Sequence, residues 1–173
     1  MTREDVRTVV DYHYWARDRL FDACTPLTSD QFTRDLSSSF PSVRDTLVHL
    51  YTADWGWYLL WQGHSLTDPP AAGRFPDLAA VWSAWRDQER QIRSFVGNLG
   101  DEGIGAFWPR LLHLVNHASY HRGQVTTMLR QLGVNAPKSQ DMIMFYKERA
   151  EVPGGMGFSL TPKWRPGSVA NSI

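Results

Sequence analysis

Cysteine is almost missing from this 173-residue chain: Cys24 is the only one. An internal disulfide is therefore impossible, and zinc sites built from several thiolates fail on ligand count. As a lone thiol near the end of a helical pattern, Cys24 reads as a small packed residue rather than a nucleophile. Net charge is missing too. Eighteen Lys and Arg balance eighteen Asp and Glu, and no basic run is dense enough to draw a phosphate backbone, so nucleic-acid binding is disfavoured. Long apolar runs are absent: Asp, His or Arg breaks each one well short of the roughly 20 residues that a membrane helix needs. The stretch from Met1 to Arg7 lacks the apolar centre of a secretion signal, which leaves the cytoplasm as the expected location. No strand pattern of any strength appears, and no internal repeat.

What is present is helical. Hydrophobic residues make up 42% of the chain and charged residues 21%, an ordinary balance for one soluble domain of this length. Val6, Val9, Val10, Tyr14, Leu20 and Phe21 recur at helical spacing over about residues 3–24, and Pro26 closes that segment. Residues 25–41 form a linker with a possible short turn at Ser29 to Phe32. Ser42 can cap a second helix, with Asp45 at its positive end. The stripe of that helix is Val43, Leu47, Leu50, Trp57 and Trp61, and Gly63 stops it. Residues 64–76 hold three prolines and form a loop long enough to cross back to the starting end of a bundle. A third helix runs over about 77–99, buried through Leu78, Val81, Trp82, Trp85, Ile92 and Val96. A short Gly-rich turn, Gly100 to Gly105, leads to a fourth over about 108–132, ended by Gly133. So short a turn makes helices three and four antiparallel neighbours. Asp141 to Glu151 makes one further short helix, and residues 152–173 read as an irregular tail. The expected organisation is an all-α domain over 1–151 followed by that tail.

The chemistry lies in the histidines. His113, His117 and His121 follow one another at intervals of four. Neighbours four apart share a helix face and stand about 6 Å apart along the axis, so two adjacent imidazoles can converge on one ion. Three cannot, because His113 and His121 are about 12 Å apart along the axis while metal–nitrogen bonds are about 2 Å long. A third ligand must come from elsewhere. His64 sits in a loop, and His13 shares a face with Val6, Val9, Val10 and Leu20, which suits a packed core histidine as well as a ligand. His49 lies on a face of Ser42, Asp45, Thr46, Ala53 and Gly56, small or polar throughout, with room for an ion and a substrate. Ala118 follows His117 where a zinc peptidase would carry Glu, so zinc-peptidase chemistry with a helix-borne Glu base is not supported. Asp45, one turn before His49, either orients that imidazole or only favours the helix N-terminus. Arg122 points away from His121 and reads as half of a structural or interface salt bridge. Trp55, Trp57 and Trp61 read as core or interface rather than pocket wall.

The string from His113 to Gln124, HLVNHASYHRGQ, resembles the H-x-x-N-H-x-x-x-H-R-G-Q signature of the DinB superfamily. Val43 to Leu50 resembles that family's second-helix motif and Tyr12 to Ala16 its first, with His13 where members often have Asn. The resemblance covers about residues 3–150. It implies a four-helix bundle of up-down-down-up topology, often a homodimer, holding nickel, zinc or iron. Carried over residue by residue, the metal ligands are His49, His117 and His121, and His113 is not one.

Three imidazoles leave at least one coordination position open. Characterised relatives in the superfamily include thiol-dependent S-transferases and a mycothiol-dependent maleylpyruvate isomerase. The resemblance therefore implies a metal-dependent enzyme acting on a small molecule, by transfer of a low-molecular-weight thiol or by hydrolysis. The alternative is a non-catalytic metal-binding stress-response bundle, and a scaffold for protein partners is a weaker third reading.

Overall fold

The computed structural model describes residues 2–151, and among these every regular element is helical. The expected tail, 152–173, lies outside the described residues. The elements are α1 (Arg3–Cys24), α2 (Ser29–Thr33), α3 (Val43–Trp61), a 3-10 turn (Ala72–Arg74), α4 (Leu78–Gly97), α5 (Asp101–Gln131) and α6 (Met142–Glu151). Among the described residues, those up to Gln140 form one compact unit, and residues 141–151, which hold α6, fall outside it.

The helix boundaries follow from capping chemistry. Thr2 accepts from the Asp5 N–H of α1 while the Asp5 carboxylate accepts from the Thr2 N–H, a reciprocal capping box. Ser42 and Asp77 cap α3 and α4 in the same way through one side-chain acceptor each. At the other ends, Gly63 and Gly133 adopt φ of +80° and +74°. Each closes a reversed turn in which the residue beyond it donates back over five residues, His64 N–H to Leu59 C=O and Val134 N–H to Leu129 C=O.

Four long helices, α1, α3, α4 and α5, build the core of the compact unit. Each of α1 and α3 packs along both α4 and α5. The contacts also fix directions. Arg17 meets Glu89 while Asp11 meets Arg93, so α1 and α4 run in opposite senses. Asp54 meets Trp85 while Trp61 meets Phe95, so α3 and α4 run in the same sense, and the loop between them carries the chain back along the bundle. Thr46 meets Met128 while Trp61 meets Phe107, so α3 and α5 oppose each other.

Two expectations change here. The Gly-rich segment 100–105 is no loop: α5 starts at Asp101 and runs through Pro109. Glycine and interior proline each disfavour helix, but Ile104 and Phe107 are buried, and that burial outweighs local propensity. The third and fourth long helices are also not side-by-side neighbours. They meet near their connection, at Phe95 and Phe107, and each otherwise packs on α1 and α3.

The interior is not wholly apolar. Arg17, 1% exposed, donates to Glu89 at 2.6 Å and lies over the Tyr14 and Trp82 rings. Glu89 also accepts from Arg93 at 2.7 Å, and Arg93 reaches Asp11. Burial alone pushes the Glu89 carboxyl up, but the bonds and charges of Arg93 and Arg17 outweigh it and hold the group below its ordinary value. Cys24 is the packed residue expected, and burial pushes its thiol up to about 12. No described helix is long and apolar enough to cross a membrane.

Candidate metal centre

Because α3 and α5 run in opposite senses, the middle of α3 faces the middle of α5. His49 on α3 then meets His117 and His121, which share one face of α5. One ring nitrogen from each of the three lies within 4.8 Å of the other two. The closest approach is His49 Nε2 to His117 Nε2 at 3.1 Å. Two imidazole nitrogens bound to one ion at about 2.0–2.1 Å and a tetrahedral angle stand about 3.3 Å apart. The cluster is therefore close to ligating geometry and needs only a small adjustment at its widest edge. Ring centroids stand 5.0 Å apart for His49 and His117, 4.6 Å for His49 and His121, and 4.5 Å for His117 and His121.

Electrostatics prepare the same role. Burial, and then the charges that His121 and His117 would carry, lower the His49 imidazole to about 4. His117 is lowered by burial, then by His121 and His113, against the opposing charge of Asp54. Both are neutral near pH 7, the state that offers a lone pair to an ion. Two neutral imidazoles that face each other have one proton at most between them, so a cation between the nitrogens is the better partner for their lone pairs. His121 is held from behind: its Nδ1 lies 2.7 Å from the Gln124 side-chain oxygen. An N–H at Nδ1 donating there leaves Nε2 with its lone pair toward the cluster, the usual arrangement behind a ligating histidine. Phe40, in the linker before α3, stacks on His49 at 4.0 Å and stands edge-on to His121 at 5.5 Å. The donor set suits a divalent transition ion.

The other expected residues fall elsewhere. His113 is exposed and stays out of the cluster; its ring stacks on His117 at 6.1 Å and faces Trp57 at 5.2 Å. His64 is exposed in the loop after α3. His13 is buried in the core, with Nε2 at 3.1 and 3.2 Å from the two oxygens of Asp54. Asp45 does not orient His49. Its carboxylate accepts from the Ser42 hydroxyl and from Arg44 at the start of α3, the helix-end role. Arg122 is buried, and its guanidinium donates to the hydroxyls of Tyr12 and Ser119 rather than to a carboxylate at an interface. Trp61 is an aromatic packing residue between Phe95 and Phe107.

Two contributors were not singled out from the sequence, and Gln124 was met there only as the last residue of the family string. Gln124 had a signal, since three residues after His121 places it on the same face. Asp54 had a weaker one, a lone carboxylate among aromatics on α3. Phe40 had none, because nothing local says where a linker residue lands.

Comparison with known proteins identifies the family. The model of the DinB family matches residues 1–150. Protein DinB of Bacillus subtilis (strain 168) is 28% identical over 156 residues, which cover 78% of this chain and 91% of that protein. A match over most of the chain, on an all-helical fold, settles the family: this chain belongs to the DinB family.

Proposed function

We propose that this chain binds one divalent transition ion, nickel, zinc or iron, through His49, His117 and His121 and uses it on a small molecule. Transfer of a low-molecular-weight thiol is the first reaction class and hydrolysis the second. The observation that carries the reading is the convergence of three imidazole nitrogens from two opposed helices within 4.8 Å. An ion held by three imidazoles keeps a coordination position for a thiol or a water and makes either more acidic.

The chain's own residues then have definite tasks. His49 and His117 present neutral rings, and Gln124 holds His121 in register. Phe40 covers two of the three rings and excludes water on that side. The reacting thiol comes from a cosubstrate, since Cys24 is buried and its thiol is pushed up to about 12. The DinB resemblance further supports a homodimer in the cytoplasm. Phe40 is also the feature that favours the alternative, a non-catalytic bundle whose ion is sequestered.

Elemental analysis of protein purified without a metal column tests the first part, with one ion per chain expected. Incubation of the loaded protein with a low-molecular-weight thiol and a panel of small electrophiles tests the second. Turnover that disappears in a folded His117→Ala protein supports the enzyme, metal without turnover supports the sequestering bundle, and no metal overturns both.

A further inference from the structure

The face of α3 that carries His49 continues toward its C-terminus through Thr52, Gly56 and Leu60, which lie 3, 7 and 11 residues on and within about 60° of His49 around the helix. Leu66, from the loop after α3, stands over Gly56, and Trp57 forms a side wall. Together they bound a cavity of about 330 Å³ with no charged side chain in its lining. The one hydroxyl on the helix floor is committed, because Thr52 donates to the His49 carbonyl at 3.0 Å. Leu60 and Leu66 remain 42% and 59% exposed, apolar surface that an apolar occupant would remove from water.

Gly56 keeps the floor open. A helix-interior glycine costs about 1 kcal/mol relative to alanine, and a Cβ here would meet only Leu66 Cδ2 at 3.4 Å, an ordinary contact. The fold does not require glycine at this position, whereas a longer side chain would enter the cavity. No histidine lines the groove, but its wall residue Trp57 begins a chain of ring contacts toward the cluster. Trp57 faces His113 at 5.2 Å, His113 stacks on His117 at 6.1 Å, and Gly56 lies about 10 Å along the helix axis from His49.

We infer that this groove is the substrate subsite of the metal centre and that it takes the uncharged, apolar end of the small molecule, of the size of one aromatic ring. The inference rests on the metal-dependent function proposed above. The volume suits it: an apolar cavity of about 150 Å³ accepts benzene, and this one leaves room for the linkage that carries a reactive group toward the imidazoles. A charged end would lose hydration with no partner in the lining.

Fluorobenzene, followed by its 19F resonance, is the probe, and the full chain is loaded with zinc or with paramagnetic cobalt. Fluorobenzene binds the zinc protein, and its line broadens further in the cobalt protein. Gly56→Leu fills the groove and weakens binding by about tenfold or more through lost apolar contact, with metal content unchanged. Gly56→Ala retains binding, and both replacements are better helix formers than glycine, so both fold. Equal binding to wild type and Gly56→Leu overturns the inference, as does binding without cobalt broadening in a protein that holds cobalt. Binding that appears only on dilution assigns the groove to a second copy of the chain and overturns it too. A protein that takes up no cobalt sinks the metal reading itself, a separate failure from the others.

Discussion

A lone histidine and a cluster of three in the same bundle behave differently. His13, 2% exposed, faces Asp54, which is 0% exposed and also accepts from Trp85 Nε1 at 2.6 Å. That imidazole has a carboxylate for a partner in a dry core, so its role is to tie α1, α3 and α4 together. His49, His117 and His121 face chiefly one another, the first two partly exposed and His121 buried, with no carboxylate joining their three facing nitrogens. Burial and mutual charge make a proton a poor partner for His49 and His117. The difference teaches that a buried histidine is explained by what stands opposite its nitrogens. A carboxylate opposite suits a structural tie, and two more imidazoles opposite make a set that could hold an ion.

That contrast can be broken by mutation. The largest effect is expected from His117→Ala, which removes one of three ligands. Stoichiometric metal should be lost, while the metal-free protein unfolds within about 1 kcal/mol of wild type because the His117 ring is partly exposed and packs no core. Elemental analysis and urea titration read the two. A variant that keeps its ion would place the metal elsewhere.

Asp54→Ala should do the reverse. It leaves Trp85 Nε1 and His13 Nε2 buried without their acceptor, at a cost of about 3 kcal/mol or more. The folded fraction should still hold one ion per chain. Normal stability in urea would show that the His13 group does not tie the core.

Gln124→Leu comes next. Loss of the acceptor behind His121 Nδ1 frees that ring to turn or change tautomer, and metal affinity should fall by about 10- to 100-fold in a chelator competition. Gln124→Glu, which keeps an acceptor, should restore most of it. Equal affinity in all three proteins would mean that His121 is positioned by packing alone.

The smallest effect is one of pH, and it belongs to the structural side of the contrast. Glu89 titrates below its ordinary value in the folded chain, so the unfolded chain takes up this proton first. Its contribution to stability is complete above the ordinary carboxylate range and is lost as the pH falls through the depressed folded value. Urea midpoints should therefore drop on acidification, and Glu89→Gln should flatten that slope. An unchanged slope would mean that the bonds from Arg17 and Arg93 do not govern acid stability.

Much of this was legible in the sequence for identifiable reasons. Val6, Val10, Val43, Leu47, Val81 and Ile92 are buried as their spacing requires, because helical period and burial are the same signal. Gly63 and Gly133 end α3 and α5 because a left-handed residue closes a helix wherever it occurs. The four-residue spacing of His117 and His121 guaranteed a shared face, and it barred His113 from sharing an ion with His121. The start of α5 was not legible, since Gly103, Gly105 and Pro109 speak against helix locally and only the burial of Ile104 and Phe107 decides otherwise. The partner of His13 was not legible either, because Asp54 lies 41 residues away.

By itself the sequence determined that the chain is helical, that it forms no internal disulfide, and that two histidines four apart present one face to whatever lies opposite. These properties depend on composition and on spacing within a single helix, and so do not depend on the rest of the fold. Only the tertiary structure decided what lies opposite. The antiparallel passage of α3 against α5 brings His49 Nε2 to 3.1 Å from His117 Nε2, the linker lays Phe40 over both helices' rings, and the core hands His13 to Asp54. Partners that are tens of residues apart are chosen by packing, and packing is a property of the assembled helices rather than of any one of them.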